Sequence, residues 1–134
     1  MSDAILKMDL FAGLLMTDIR IWNKNKHSYN KLAITLDTGA SITTISSDIL
    51  YRAGYDVTNG KIRRITTASG IAYVKELFID KIMLDTYEMH DVLVYAHSFP
   101  SESFSSGVLG LNVLTEFNVN LLFDKKLIEL TKIV

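Results

Sequence analysis

Short stretches in which apolar and polar residues alternate, separated by small or polar turn formers, run through most of this chain and predict a mostly β fold. Between Ala12 and Trp22 the sequence AGLLMTDIRIW settles into alternation, with Ile19 and Ile21 flanking Arg20. The polar run from Asn23 to Asn30 then predicts a loop, and Leu32 to Leu36 a second strand. The strand pattern stops at Asp37-Thr38-Gly39-Ala40-Ser41, where small and turn-forming residues require a bend. Ser47 to Arg52 predicts a short helix, with Ser47 or Asp48 as its cap and Gly54 as its end. Two β runs between Lys61 and Ile79 flank Ala68-Ser69-Gly70, the kind of small, flexible tip a hairpin needs. Separate strands are expected at Lys81–Leu84 and Val92–Tyr95, with Asp85-Thr86-Tyr87 turning between them. After Gly107 a short helix is expected from about Asn112, then strands over Asn118–Phe123 and Leu127–Ile133 joined at Asp124-Lys125. Trp22 and Tyr73 read as packing residues, because strands are rich in aromatic side chains.

Composition narrows the functions open to such a fold. The chain has 134 residues, 49% of them apolar and 22% charged, which suits one compact domain over 1–134. With no cysteine there is neither a disulfide nor a thiolate, which excludes zinc ribbons and thiol nucleophiles. A net charge of −1 offers no general pull toward nucleic acid or an anionic membrane. Lys24, Lys26 and Lys31 form a small basic loop without interleaved aromatic residues, which reads as a solvated hairpin end. The apolar stretch Leu10–Met16 is far below the roughly 20 residues a membrane helix needs, and the surroundings of Lys7 make a poor secretory signal; a cytoplasmic protein is expected. His27, His90 and His97 have no ligand-like spacing, so no metal is expected, and no phosphate-binding glycine loop appears. Function must therefore reside in a local site.

The most informative stretch is Leu36-Asp37-Thr38-Gly39-Ala40-Ser41, a carboxylate at the end of an apolar strand within a turn of small residues. Taken alone, Asp37 could simply close that turn through its side chain. A second feature follows at Val108-Leu109-Gly110-Leu111-Asn112, where Gly110 lies 73 positions beyond Asp37 (110 − 37). These two features, with Ala68-Ser69-Gly70 between them, resemble the retropepsin-like aspartic proteases, the single-lobe relatives of pepsin, over roughly Gly13 to Leu130. Three departures stand beside the resemblance. Leu111 occupies the place of the arginine that supports the viral dimer, the hairpin tip has one glycine, and Lys125–Val134 supplies an extra strand. Subunit packing different from the viral arrangement is therefore expected.

The resemblance implies an all-β, closed-barrel single lobe with one or two short helices, active as a symmetric homodimer on peptide or protein substrates. From the charge and spacings above, no cofactor and no nucleic-acid or membrane partner is expected. Peptide hydrolysis by this route needs two facing carboxylates sharing a proton, and the chain carries one such motif. Asp85-Thr86-Tyr87 lacks the glycine and sits among polar neighbours, so it reads as a solvated turn. Asp37 would then pair with Asp37 of a second copy. By the same resemblance Thr38 would link the two active loops, the Gly39 amide would face the carboxylates, Ser41 would hydrogen-bond Asp37, and Ala40 would complete the loop. Thr67, Ala68, Ser69, Gly70 and Ile71 would form a flap over the substrate, and Val108, Leu109 and Gly110 the late apolar-glycine motif. A plain turn and a plain exposed hairpin remain the alternative readings of these segments. The whole could also be a non-catalytic peptide-binding or dimerisation module, or an enzyme active only within a longer polyprotein.

Overall fold

The computed structural model describes residues 2–67, 69–100 and 103–134. It is mostly β, with eleven strands and two short helices among these residues. The first two strands, β1 (Ala4–Lys7) and β2 (Asp9–Phe11), were not expected from the pattern, being only four and three residues long. They are followed by β3 (Leu14–Asn23), β4 (Ser28–Leu36), β5 (Thr44–Ser46) and α1 (Ser47–Arg52). The hairpin of β6 (Lys61–Thr67) and β7 (Gly70–Leu84) leads into β8 (Tyr87–His97), β9 (Gly107–Leu109) and α2 (Leu111–Leu114). The described chain ends with β10 (Phe117–Leu122) and β11 (Leu127–Lys132).

Eight strands form one sheet in the order β2-β3-β4-β9-β5-β8-β7-β6. β3 also pairs with β7, through Arg20–Met83 and Ile21–Ile82, so the sheet curls back on itself around a core. Alternation decides which side chains enter it. Ile19 and Ile21 of β3 point inward while Arg20 points out, and Ile34, Ile45, Val94 and Leu109 join them from four other strands. The remaining three strands form a second sheet, β1-β11-β10, whose Leu6, Ile128 and Leu130 belong to the same core.

Three local expectations need correction. The stretch read as ending at Ile79 and restarting at Lys81 is one strand, β7, of 15 residues. Its inward positions change phase there, since Ile79 and Ile82 are both buried and Asp80 is exposed. β8 changes phase opposite, where His90 and Asp91 are both exposed and Asp91 takes a positive φ of 51°. Asp80 and Asp91 thus fall between the Ile79–Val92 and Lys81–His90 pairs. Neither Ser47 nor Asp48 caps α1: Ser46 holds the cap position without a side-chain hydrogen bond, and Asp48 instead pairs with Arg52 one turn on. α2 begins at Leu111, one residue earlier than expected, with Gly110 at its cap.

Candidate active site

The loop carrying Asp37 exists because β4 and β5 are not neighbours. β9 lies between them, parallel to β4 (Leu36 beside Leu109) and antiparallel to β5 (Thr44 beside Val108). Residues 37–43 must therefore cross the end of β9. They are fastened as they do so. The Asp37 amide donates to the Leu109 carbonyl at 3.1 Å, and the Leu111 and Asn112 amides donate to the carbonyls of Ala40 and Ser41 at 2.8 and 3.1 Å. Gly110 is required by this crossing, because a Cβ there would stand 2.8 Å from the Ile42 carbonyl carbon and 2.9 Å from both the Ala40 oxygen and the Thr43 nitrogen. The late apolar-glycine motif is thus the seat of the Asp37 loop.

Within the loop the Asp37 carboxylate accepts a hydrogen bond from the Gly39 amide at 2.8 Å, and a Cβ on Gly39 would lie 3.1 Å from the same oxygen. Asp37 and Ala40 are half-buried, whereas Thr38, Gly39 and Ser41 are exposed. The hydrogen bond expected from Ser41 is not formed: among the described residues the carboxylate's bond comes from Gly39. Thr38 faces solvent in the single chain.

Two residues to which the sequence assigned no role, Thr43 and the last residue of the late motif, Asn112, lock this arrangement. Thr43, fully buried, accepts the Gly110 amide at 3.0 Å and donates its hydroxyl to Asn112 Oδ1 at 2.9 Å. The Thr43 amide donates to the same oxygen at 2.8 Å, and Asn112 Nδ2 donates to the Leu93 carbonyl at 2.8 Å. Asn112 follows the late glycine by two positions, which is the one signal that could have drawn attention to it.

A cleft of about 560 Å³ opens beside Asp37. It is lined by Gly39, Ala40, Ser41 and Ile42 of the loop and by Ile65, Thr66 and Thr67 of the β6–β7 hairpin. Tyr95, His97 and Phe99 line it as well. β8 reaches the site because β5 pairs with it in parallel, Thr44 beside Tyr95 and Ser46 beside His97. Val92, Val94 and Ala96 of β8 face the core, so Tyr95 and His97 point the other way, a phase readable in the sequence once the strand is known.

The hairpin expectation holds in part. β6 and β7 close with Thr67 opposite Gly70, where the Thr67 hydroxyl donates to the Gly70 carbonyl at 3.0 Å and accepts the Ser69 amide at 3.3 Å. Gly70 has φ +125°, a conformation open to glycine. Thr67 lines the cleft, but Ser69, Gly70 and Ile71 do not, and Ala68 lies outside the described residues. Tyr73, expected to pack, is 68% exposed. Trp22 is half-buried, edge-on to Tyr29 and beneath the Lys81 ammonium, which lies 4.1 Å from its ring centre. Asp85 stands in the β7–β8 turn, accepts the Ile5 amide at 3.2 Å and does not line the cleft.

No group of three or more metal-ligating side chains occurs among the described residues, and none of the helices is long and apolar enough to cross a membrane. A half-exposed carboxylate on a rigid loop, beside a groove walled by a hairpin, can activate a water toward an extended chain, provided a second acid is supplied.

Comparison with known proteins agrees with this geometry. Residues 25–116 match the family model described as gag-polyprotein putative aspartyl protease. No curated protein sequence matches the chain. Among solved structures, the chain is similar to the crystal structure of a retropepsin-like aspartic protease from Rickettsia conorii, with a TM-score of 0.67, 20% identity, and coverage of 94% of this chain and 87% of that one.

Proposed function

We propose, from the premise that the chain belongs to the gag-polyprotein aspartyl protease family, that it is an aspartic endopeptidase whose catalytic pair is Asp37 from each of two subunits. The observation that carries this is the position of Asp37: a half-exposed carboxylate held by the Gly39 amide, on a loop fastened to Leu109, Leu111 and Asn112, at the mouth of the peptide-sized cleft.

Two carboxylates brought together across a two-fold axis cannot both ionise, so they share one proton, aspartic proteases being the familiar example. The ionised member takes a proton from the water held between the pair as its oxygen attacks the scissile carbonyl carbon. The protonated member gives its proton to the carbonyl oxygen, forming a neutral tetrahedral diol. Collapse of the diol breaks the C–N bond while a proton passes to the leaving nitrogen, and the pair ends singly protonated, ready for another cycle. The Gly39 amide holds the carboxylate in place, and Ile65, Thr66 and Thr67 cover the substrate, whose extended backbone the groove accommodates. Exposed Thr38 and Gly39 belong to the face that meets the partner. Because β11 pairs within its own chain with both β1 and β10, the terminal strands are already engaged before any partner arrives. Subunit packing that differs from the viral arrangement is in keeping with that.

The test is a mixing experiment. Wild-type subunits re-equilibrated with a threefold excess of Asp37→Asn subunits should lose most of their activity per wild-type chain, because most wild-type chains would then sit in mixed dimers with one acid. Activity per wild-type chain that is unchanged by the mixing would refute the shared pair. A stable dimer that cleaves nothing would instead favour the peptide-binding module.

A further inference from the structure

We propose that His97 makes a subsite of the cleft that selects a carboxylate side chain, Asp or Glu, in the substrate on one side of the cleaved bond; this rests on the peptidase reading above. The lining of the cleft is chemically uneven. Ile42, Ile65, Phe99 and Val108 are apolar, Ser41, Thr44, Thr66 and Thr67 offer hydroxyls, and Asp37 is an acid. Among the described residues that line the cleft, His97 is the one basic side chain.

The ring is held in place rather than left to wander. It is half-buried at the end of β8, beside Ser46 of β5, and meets the Phe99 ring edge-on at 5.6 Å. Among the described residues it takes part in no side-chain hydrogen bond or ion pair, in contrast with His90, which lies 2.8 Å from Glu88. Its polar capacity is therefore available to whatever enters the cleft. Among the described residues, the charged groups of the adjoining strands are engaged elsewhere. Tyr95 is its neighbour on β8, and on the adjoining hairpin Arg63 and Glu76 are paired with one another at 2.7 Å. Lys75 reaches away, to the Thr58 carbonyl at 3.0 Å. Asp37 is occupied by its loop and by the reaction.

An imidazole N–H donates a hydrogen bond to a carboxylate oxygen, and a protonated imidazole donates from both nitrogens. An acidic side chain placed there gains a charge-assisted hydrogen bond in a partly desolvated groove, where such bonds are strongest. A lysine or arginine in the same place meets a like charge.

The experiment has two arms. In the first, a peptide from the cleavage profile of the wild type is made with Glu or Gln at each flanking position. One position should show a Glu-over-Gln preference in kcat/KM of about tenfold. His97→Leu should abolish the preference while still cleaving the Gln peptide. An unchanged preference in His97→Leu, or none in a wild type that cleaves, overturns the proposal. In the second arm, which needs no catalysis, Asp37→Asn protein is exposed to a mixed decapeptide library and the retained peptides are sequenced. Enrichment of acidic residues that vanishes in Asp37→Asn/His97→Leu supports the subsite even if the peptidase reading fails. Equal retention of acidic and neutral peptides by both proteins, or retention of none, defeats it.

Discussion

A carboxylate in the position of Asp37 is useful only if its neighbours leave it room and keep it still, and single atoms decide both. Gly39→Val would add a branched side chain where a Cβ already lies 3.1 Å from the carboxylate oxygen. It should cut peptidase activity at least tenfold, roughly the worth of one displaced hydrogen bond, and weaken the dimer; kinetics and sedimentation measured together check this. Gly110→Ala should destabilise the chain by roughly 1–3 kcal/mol in denaturant unfolding, since its Cβ would meet backbone on three sides and backbone does not yield cheaply. Thr43→Val removes the hydroxyl that joins Gly110 to Asn112 and leaves a buried amide unpaired, at a cost of about 1–3 kcal/mol. The run Asp37 to Ser41 stood out as a carboxylate in a turn of small residues after an apolar strand, and its reading as a site rested on the family resemblance it carries together with Val108 to Asn112. The roles of Thr43 and Asn112 were not legible, because these residues meet across 69 positions of sequence and only the fold brings them together.

At the scale of elements, the curling of the large sheet depends on a contact that no local pattern displays. Where β3 meets β7, the Tyr55 hydroxyl donates to the Trp22 carbonyl at 2.8 Å and accepts the Asp80 amide at 3.3 Å. That amide lies at the phase change of β7, so one side chain joins both strands where they meet. Burial pushes the Tyr55 phenol up to about 12. An unfolded phenol titrates at about 10, so folding favours the protonated form. The resulting stability is fully present below pH 10 and is lost as pH rises from about 10 through 12. Tyr55→Phe should lower stability at pH 8 by roughly 1–2 kcal/mol and flatten the loss on raising the pH, measured as denaturation midpoints from pH 8 to 12. An unaltered slope would show that Tyr29, also raised to about 12, carries the effect instead. The same phase change explains why β7 read as two strands: two exposed positions in succession on β8, and an exposed Asp80 between buried isoleucines on β7, mimic a turn. The hairpin of β6 and β7 was legible from its small tip, but Tyr95, His97 and Phe99 were not, since their place in the cleft follows from the parallel pairing of β5 with β8.

For the molecule as a whole, the mostly β fold followed from the alternation, whereas the way its ends come together did not. β1 is four residues long, and its partner β11 lies at the other end of the chain, with Ala4 opposite Leu130. No pattern within so short a stretch encodes a pairing of that range. The consequence is a three-stranded sheet formed within one chain from the two ends of the described residues.

The most direct measurement of the central claim is mass-spectrometric detection of cleavage in a diverse peptide mixture, comparing wild type with Asp37→Asn from about pH 4 to 7, a range that brackets coupled carboxylates. The amide keeps the shape of the carboxylate but cannot take and return a proton. On the proposed mechanism cleavage should therefore fall by about 10²–10⁴-fold in the variant, with the fold retained. Cleavage at a comparable rate by Asp37→Asn would contradict the account.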